Sequence, residues 1–249
     1  MGNKQVHITL QGKGGIGKSY VTSIVAQYQM DQGEEVVCID TDPINATLSS
    51  FQALNAFKID LLEDNRIKEG LFDAMMEQIL TTNSHFVIDS GAASFIPLSN
   101  YLIQHEAIEM MVESGKQPII HTIIAGGFAL NNTMSDFAQL ASQLPEEAQI
   151  IVWLNEHFGK IEFEGKSFEQ SKAYVTYRDR VHTLIRLPRQ PEDTFGNTIE
   201  KLISQRLTFT EVLNSQLFQV MPKQRIAIYQ RAIYSQLSNV GWVRLAKQV

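Results

Sequence analysis

Short apolar runs alternate along the chain with longer segments of helical period. "VHITLQ" (6–11), "EVVCID" (35–40), "HFVID" (85–89), "PIIHTIIAG" (118–126), "QIIVWLN" (149–155) and "VHTLIRLP" (181–188) are rich in Val and Ile and nearly continuous in hydrophobicity. A strand covered on both faces has this character, because neither side-chain direction meets water. Between these runs the pattern predicts helices over 18–31, 70–81, 97–114, 131–143, 166–179 and 192–205. Gly33 suits the carboxyl end of the first. In the second, Leu71, Met75 and Ile79, with Phe72 and Met76, make one apolar face. Repeated strand–helix–strand units imply an α/β fold, with a mostly parallel central sheet and helices on both faces. Ligands then bind beyond the carboxyl ends of the strands.

With 249 residues, no Pro/Gly/Ser-rich linker and no repeat, the chain suits one domain over residues 1–249. The net charge of -6 gives the whole surface no call on nucleic acid. Its distribution is uneven, however. No Asp or Glu follows Glu211, while Lys223, Arg225, Arg231, Arg244 and Lys247 are basic, and such asymmetry can mark a contact surface. The single cysteine, Cys38, excludes an internal disulfide and a Cys-rich metal site. The opening "MGNKQVHITL" lacks the apolar core of a signal peptide, and no run reaches a membrane-spanning length. The expectation is a cytoplasmic protein.

The chemistry concentrates after the first strand. "GKGGIGKS" (12–19) fits G-x-x-x-x-G-K-[ST] in full, and it lies between a strand and a helix. Glycines let the backbone wrap closely, so that N–H groups point at phosphate oxygens, and the helix amino end adds positive potential. Gly12, Lys13, Gly14, Gly15, Ile16, Gly17, Lys18, Ser19 and Tyr20 are therefore the candidate phosphate cradle. Lys18 is expected to reach the β- and γ-phosphates and Ser19 to ligate Mg²⁺. Asp89 closes the strand "HFVID", where a carboxylate can hold Mg²⁺. Taken singly it reads as a helix cap or turn residue; the glycine loop favours the metal role. Gly91, in the small-residue segment "SGAAS", is a candidate γ-phosphate sensor through its N–H. In "CIDTDPINAT" (38–47), Asp40 and Asp42 flank Thr41, and Pro43 ends the strand. One carboxylate would order hydrated Mg²⁺ and the other the attacking water, with a plain turn the equal alternative.

Together these sites resemble the MinD/ParA family of dimeric ATPases, whose deviant Walker A motif is K-G-G-x-x-K-[ST]. Residues Lys13 to Ser19 match it, Asp40-Thr41-Asp42-Pro43 matches the family's D-x-D-P segment, and Asp89 matches its Walker B aspartate. The resemblance implies a three-layer P-loop NTPase sandwich of the SIMIBI type, binding ATP and Mg²⁺ as a homodimer. It implies that Lys13 crosses to the partner's ATP, that Asp42 positions the hydrolytic water, and that Asp40 acts on the metal's water shell. Asn155 looks like the family's adenine-contacting asparagine, with a turn residue at a strand end as the even alternative. "LQGKGGIGKS", "CIDTDPINAT", "VIDSGAASFIPLS", "FAQLASQ", "EGKSFEQSKAY" and "RLTF" are also similar, in the same order, to nucleotide-binding proteins of conjugative plasmid transfer. "EGKSFEQ" and "RLTF" carry no mechanism readable from the sequence. Tyr20 departs from the family's second hydroxyl after the loop, and Ser90-Gly91 departs from its proline after Walker B. Both departures bear on switch flexibility and imply slow turnover, with ATP acting as a dimerisation switch; the ATPase expected is slow, Mg²⁺-dependent and partner-stimulated.

The function expected is an ATP-driven dimer switch supporting plasmid conjugation through a partner protein. The alternative is a ParA-like partition ATPase on non-specific DNA; the acidic body opposes it and the basic tail favours it. A metabolic P-loop enzyme is a third reading, for which no residue suggests an acceptor. In the tail (222–249), Ile226, Tyr229, Ile233, Tyr234 and Leu237 suggest a helical stripe. The favoured reading packs this helix on the sheet. The open alternative is contact with DNA phosphates, or with the inner membrane, where Trp242 lies close by.

Overall fold

The computed structural model describes residues 4–42, 45–59, 62–63, 66–67 and 70–241. All six apolar runs form strands: β1 (Lys4–Thr9), β2 (Val36–Asp40), β4 (His85–Asp89), β5 (Lys116–Ala125), β6 (Gln149–Asn155) and β7 (Val181–Leu187). The two-residue β3 (Phe57–Lys58) adds an edge. The sheet order is β7-β6-β5-β1-β4-β2-β3, and every neighbouring pair is parallel. A parallel sheet brings all strand carboxyl ends to one edge, and the candidate site lies there.

Side chains alternate across each strand, so the sheet feeds two cores. Val6, Ile8, Ile120 and Ile124 pack beneath α2 (Leu71–Thr81), α3 (Phe95–Gln104), α4 (Ala107–Glu113) and α5 (Leu130–Gln143). Ile119, Ile123, Ile151 and Trp153 face α1 (Lys18–Asp31), α7 (Asn197–Ser204), α8 (Phe209–Asn214) and α9 (Val220–Ser238). In α2 the buried residues are Phe72, Met75, Met76 and Ile79, the face its period predicts.

Three predicted helices are corrected. The helix expected over 97–114 is two, broken at Glu106, whose φ of 50 is left-handed. The helix expected over 166–179 starts as a hairpin pairing Glu162–Phe163 with Lys166–Ser167. Its turn, Glu164 (φ 51) and Gly165 (φ 74), has the two successive left-handed residues that a tight hairpin requires. Ser167 and Gln170 then form a capping box, and α6 covers only Lys172–Tyr177. The helix expected over 192–205 opens with a π turn, Glu192–Gly196, before α7. "RLTF" also has a structural role: Thr208 and Glu211 form the capping box of α8. Just after the cap, the Phe209 N–H donates to Gln27 Oε1 of α1 at 2.7 Å.

The carboxyl-terminal helix belongs to the core. Ile226, Tyr229, Ile233 and Leu237 of α9 are buried, and Tyr234 is partly so. Each aliphatic burial of this kind stabilises by roughly 1.5–3 kcal/mol. Pro43 and the tail residues Trp242, Arg244 and Lys247 lie outside the described residues. Among the described residues no helix is long and apolar enough to cross a membrane.

A buried polar chain crosses the α1 side of the sheet. Trp153 Nε1, which can only donate, bonds His121 Nδ1 at 2.9 Å. His121 in its neutral form therefore carries its proton on Nε2 and donates to His7 Nδ1 at 2.9 Å. His7 Nε2 donates in turn to Gln5 Oε1 at 3.1 Å, which also accepts from Gln29 Nε2 at 2.8 Å. Burial pushes His121 down to about 3 and, with His121 and His85 nearby, holds His7 well below its ordinary value. Folding thus favours the neutral rings. The stability they contribute is complete above the unfolded value of roughly 6.5 and is lost as pH falls below it. Asp89, raised to about 7, contributes with the opposite sign in this window, so the test is a difference: from pH 8 to pH 5 the urea midpoint of the wild type is expected to shift downward relative to that of His121→Gln.

Candidate functional site

The segment between β1 and α1 places the glycine loop at the carboxyl edge of the sheet. Gly15 (φ 73) and Gly17 (φ 94) are left-handed, a conformation costly for other residues. A Cβ on Gly15 would meet nothing within 4 Å, and one on Gly14 only Ala92 Cβ at 3.9 Å. The crest is therefore bare backbone open to solvent. Gly17 is the N-cap of α1, so the helix amino end opens directly onto it. Lys18 is buried and folds back, its Nζ donating to the Lys13 carbonyl at 3.0 Å. Burial lowers its pKa, while Asp89, Asp42 and Asp136 oppose that shift. Lys13 behaves differently. Its Nζ lies 5.5 Å from the ring centroid of Phe128, which is itself 68% exposed.

Side chains from elsewhere hold the loop. The Asn155 amide closing β6 donates from Nδ2 to the Ile16 carbonyl at 3.0 Å, and its Oδ1 accepts from the His157 N–H at 3.1 Å. The amide nitrogen thus braces the loop, while the oxygen caps the turn that follows β6. Asp136 of α5 and Gln11 hold the start of the loop; nothing in the sequence pattern singles out Asp136. Tyr20 follows Ser19, but its ring packs into the core that includes α9, beside Tyr229. The departure from a hydroxyl at this position therefore serves packing between α1 and α9.

Asp89 is register partner to Thr9 on one side and Asp40 on the other. It is buried; its Oδ1 accepts from Thr22 Oγ1 at 3.1 Å, and its Oδ2 has no hydrogen-bond partner among the described residues. Burial raises its pKa to about 7 against the opposing pull of Ser19, Thr22 and Lys18. A carboxylate oxygen left unsatisfied beside a serine hydroxyl fits a hard cation such as Mg²⁺ or its bound water. Among the described residues no group of three or more His, Cys, Asp or Glu could hold a metal.

Asp40 has a structural task. Its Oδ1 accepts from the Asp42 N–H at 3.0 Å and its Oδ2 from the Ser49 N–H at 2.8 Å. Burial raises its pKa and these bonds oppose the rise. Asp42 Oδ1 accepts from the Asn45 N–H at 3.0 Å, and the Asp42 side chain lies against Gly91. A Cβ on Gly91 would stand 2.7 Å from Asp42 Cγ and 3.0 Å from its Cα. The segments after β2 and β4 therefore meet, Gly91 against Asp42.

This sheet order, with a glycine loop leading from β1 into α1, defines a P-loop NTPase fold. MinD from Aquifex aeolicus shares it, with a TM-score of 0.51 at 15% identity over 93% of this chain and 97% of that one. No family model matches the chain. Two Escherichia coli proteins named TraL do: one is 45% identical over 233 residues, 94% of this chain and 97% of that protein. The other is 41% identical over 237 residues, 95% and 98% of the two chains. The chain belongs to the TraL family.

Gly91→Ala must displace Asp42 backbone, and is expected to cost about 1–3 kcal/mol in urea unfolding. Gly14→Ala, with open space around its Cβ, should cost less than about 1 kcal/mol.

Proposed function

We propose that the protein is an ATP-binding and ATP-hydrolysing switch that dimerises on ATP and supports plasmid conjugation by positioning or recruiting transfer components. The observation that carries this reading is the buried, unsatisfied Asp89 Oδ2 beside Ser19, behind a crest of bare glycine backbone. Backbone N–H groups of the crest and the amino end of α1 bind the phosphates, and Lys18 contributes a desolvated cation. Ser19 and Asp89 would hold Mg²⁺, which would supply neutralisation of phosphate charge. Membership of the TraL family supports the conjugative role.

Lys13 completes the site from a second copy. Its contact with Phe128 is a cation–π interaction at an exposed ring, worth roughly 0.5–1 kcal/mol, so little opposes its reaching across. Asp42 orients the attacking water. Asp40 acts through the shape of the loop it holds, Gly91 offers its N–H to the γ-phosphate, and Asn155 borders the base. Turnover is slow until a partner protein engages.

Light scattering with ATP is expected to report a dimer for the wild type and a monomer for Lys13→Ala, which still binds nucleotide. Lys18→Ala should lose nucleotide binding itself. A Lys13→Ala protein that dimerises normally refutes the crossing role. Asp42→Ala should retain the ATP dimer and slow phosphate release by ~10²-fold or more, the usual scale for losing a group that handles the reacting water.

A further inference from the structure

We infer that Asp136 is a positioning residue for the phosphate loop, setting its shape from behind without touching the ligand. The inference rests on the phosphate-binding reading of the loop. Three donors converge on one oxygen, Oδ2: Gln11 Nε2 at 2.6 Å, the Gly12 N–H at 3.0 Å and the Lys13 N–H at 3.2 Å. The loop's first two amides are thereby taken by a side chain. Gln11 anchors this arrangement to the sheet, its Oε1 accepting from Thr122 Oγ1 at 2.7 Å and the Ile123 N–H at 3.1 Å. Asp136 itself stands on a rigid element, since Thr133, Phe137 and Leu140 bury the adjoining face of α5.

The same contact contributes at Gly12. Its φ is not left-handed, but an added Cβ would stand 3.2 Å from Asp136 Oδ2 and 2.9 Å from Phe95 Cδ1. Packing against Phe95, and secondarily the Asp136 brace, thus leaves no room for a side chain at the first glycine of the motif.

Charge makes the inference decidable. A carboxylate close to an anion-binding loop repels phosphate, so if Asp136 were a bystander its neutralisation would tighten nucleotide binding. A positioning role requires the opposite sign. Fluorescent ATP and ADP titrations are expected to show affinity reduced roughly tenfold or more in Asp136→Ala, the scale of losing charge-assisted hydrogen bonds. Asp136→Asn, which keeps one acceptor oxygen, should fall between Ala and wild type. Amide exchange at residues 12 and 13 should accelerate in the same order. Tighter or unchanged binding with unchanged exchange overturns the inference. Should Asp136→Ala fail to fold, the sign of the change in Asp136→Asn decides. Were the wild type to bind no nucleotide, the phosphate reading would fail, and the exchange measurement would still decide the positioning of the loop.

Discussion

A glycine loop can offer its backbone to phosphate only if side-chain hydrogen bonds hold it in shape, since glycines have no side chains of their own to do so. Glycines give access and left-handed turns, and they also give the unfolded loop its greatest freedom. In this protein the restraint comes from three directions. Asp136 takes the first amides, Asn155 takes the Ile16 carbonyl, and Lys18 takes the Lys13 carbonyl. Each bond ends on a strand or helix of the core, so the loop is as rigid as the sheet edge beneath it.

The same economy joins α1 to the end of the chain. Gln27 accepts the amide that opens α8, and Asp31 accepts from Tyr234 Oη at 2.9 Å and Gln230 Nε2 at 3.3 Å on α9. Tyr20, the first residue past the phosphate loop's serine, packs beside Tyr229. The helix that receives the phosphate loop is thus locked to the acid-free carboxyl-terminal region by packing and by hydrogen bonds. The described part of that region offers only its outer face to any partner.

Much of this was legible in sequence. The six strands followed from continuous Val/Ile runs, since burial on both faces leaves no alternation to misread. The glycine loop between the first strand and the first helix followed from its spacing, and Asp89 was placed at the end of its strand, although taken singly it reads as a cap or turn residue. The misses have specific causes. Glu106 and Glu164 adopt left-handed φ, which glutamate composition does not announce. "EGKSFEQ" has helical period but holds a hairpin and a cap, where local hydrogen bonds override periodicity. Asp136 sits on an ordinary helix face, and its importance arises only from what lies across the sheet edge.

By itself, then, the chain determined a parallel α/β sheet and the position of a phosphate loop, because hydrophobic period and glycine spacing are local properties. Tertiary structure decided how the expected residues are used. Asp40 shapes a loop, Asn155 and Asp136 brace another, Tyr20 joins two helices, and Lys13 lies over an exposed ring. Asp40 finds its partners nearby in the chain, at Asp42 and Ser49; the others depend on partners distant in sequence that meet only once the strands are in register, and no local pattern encodes such a meeting.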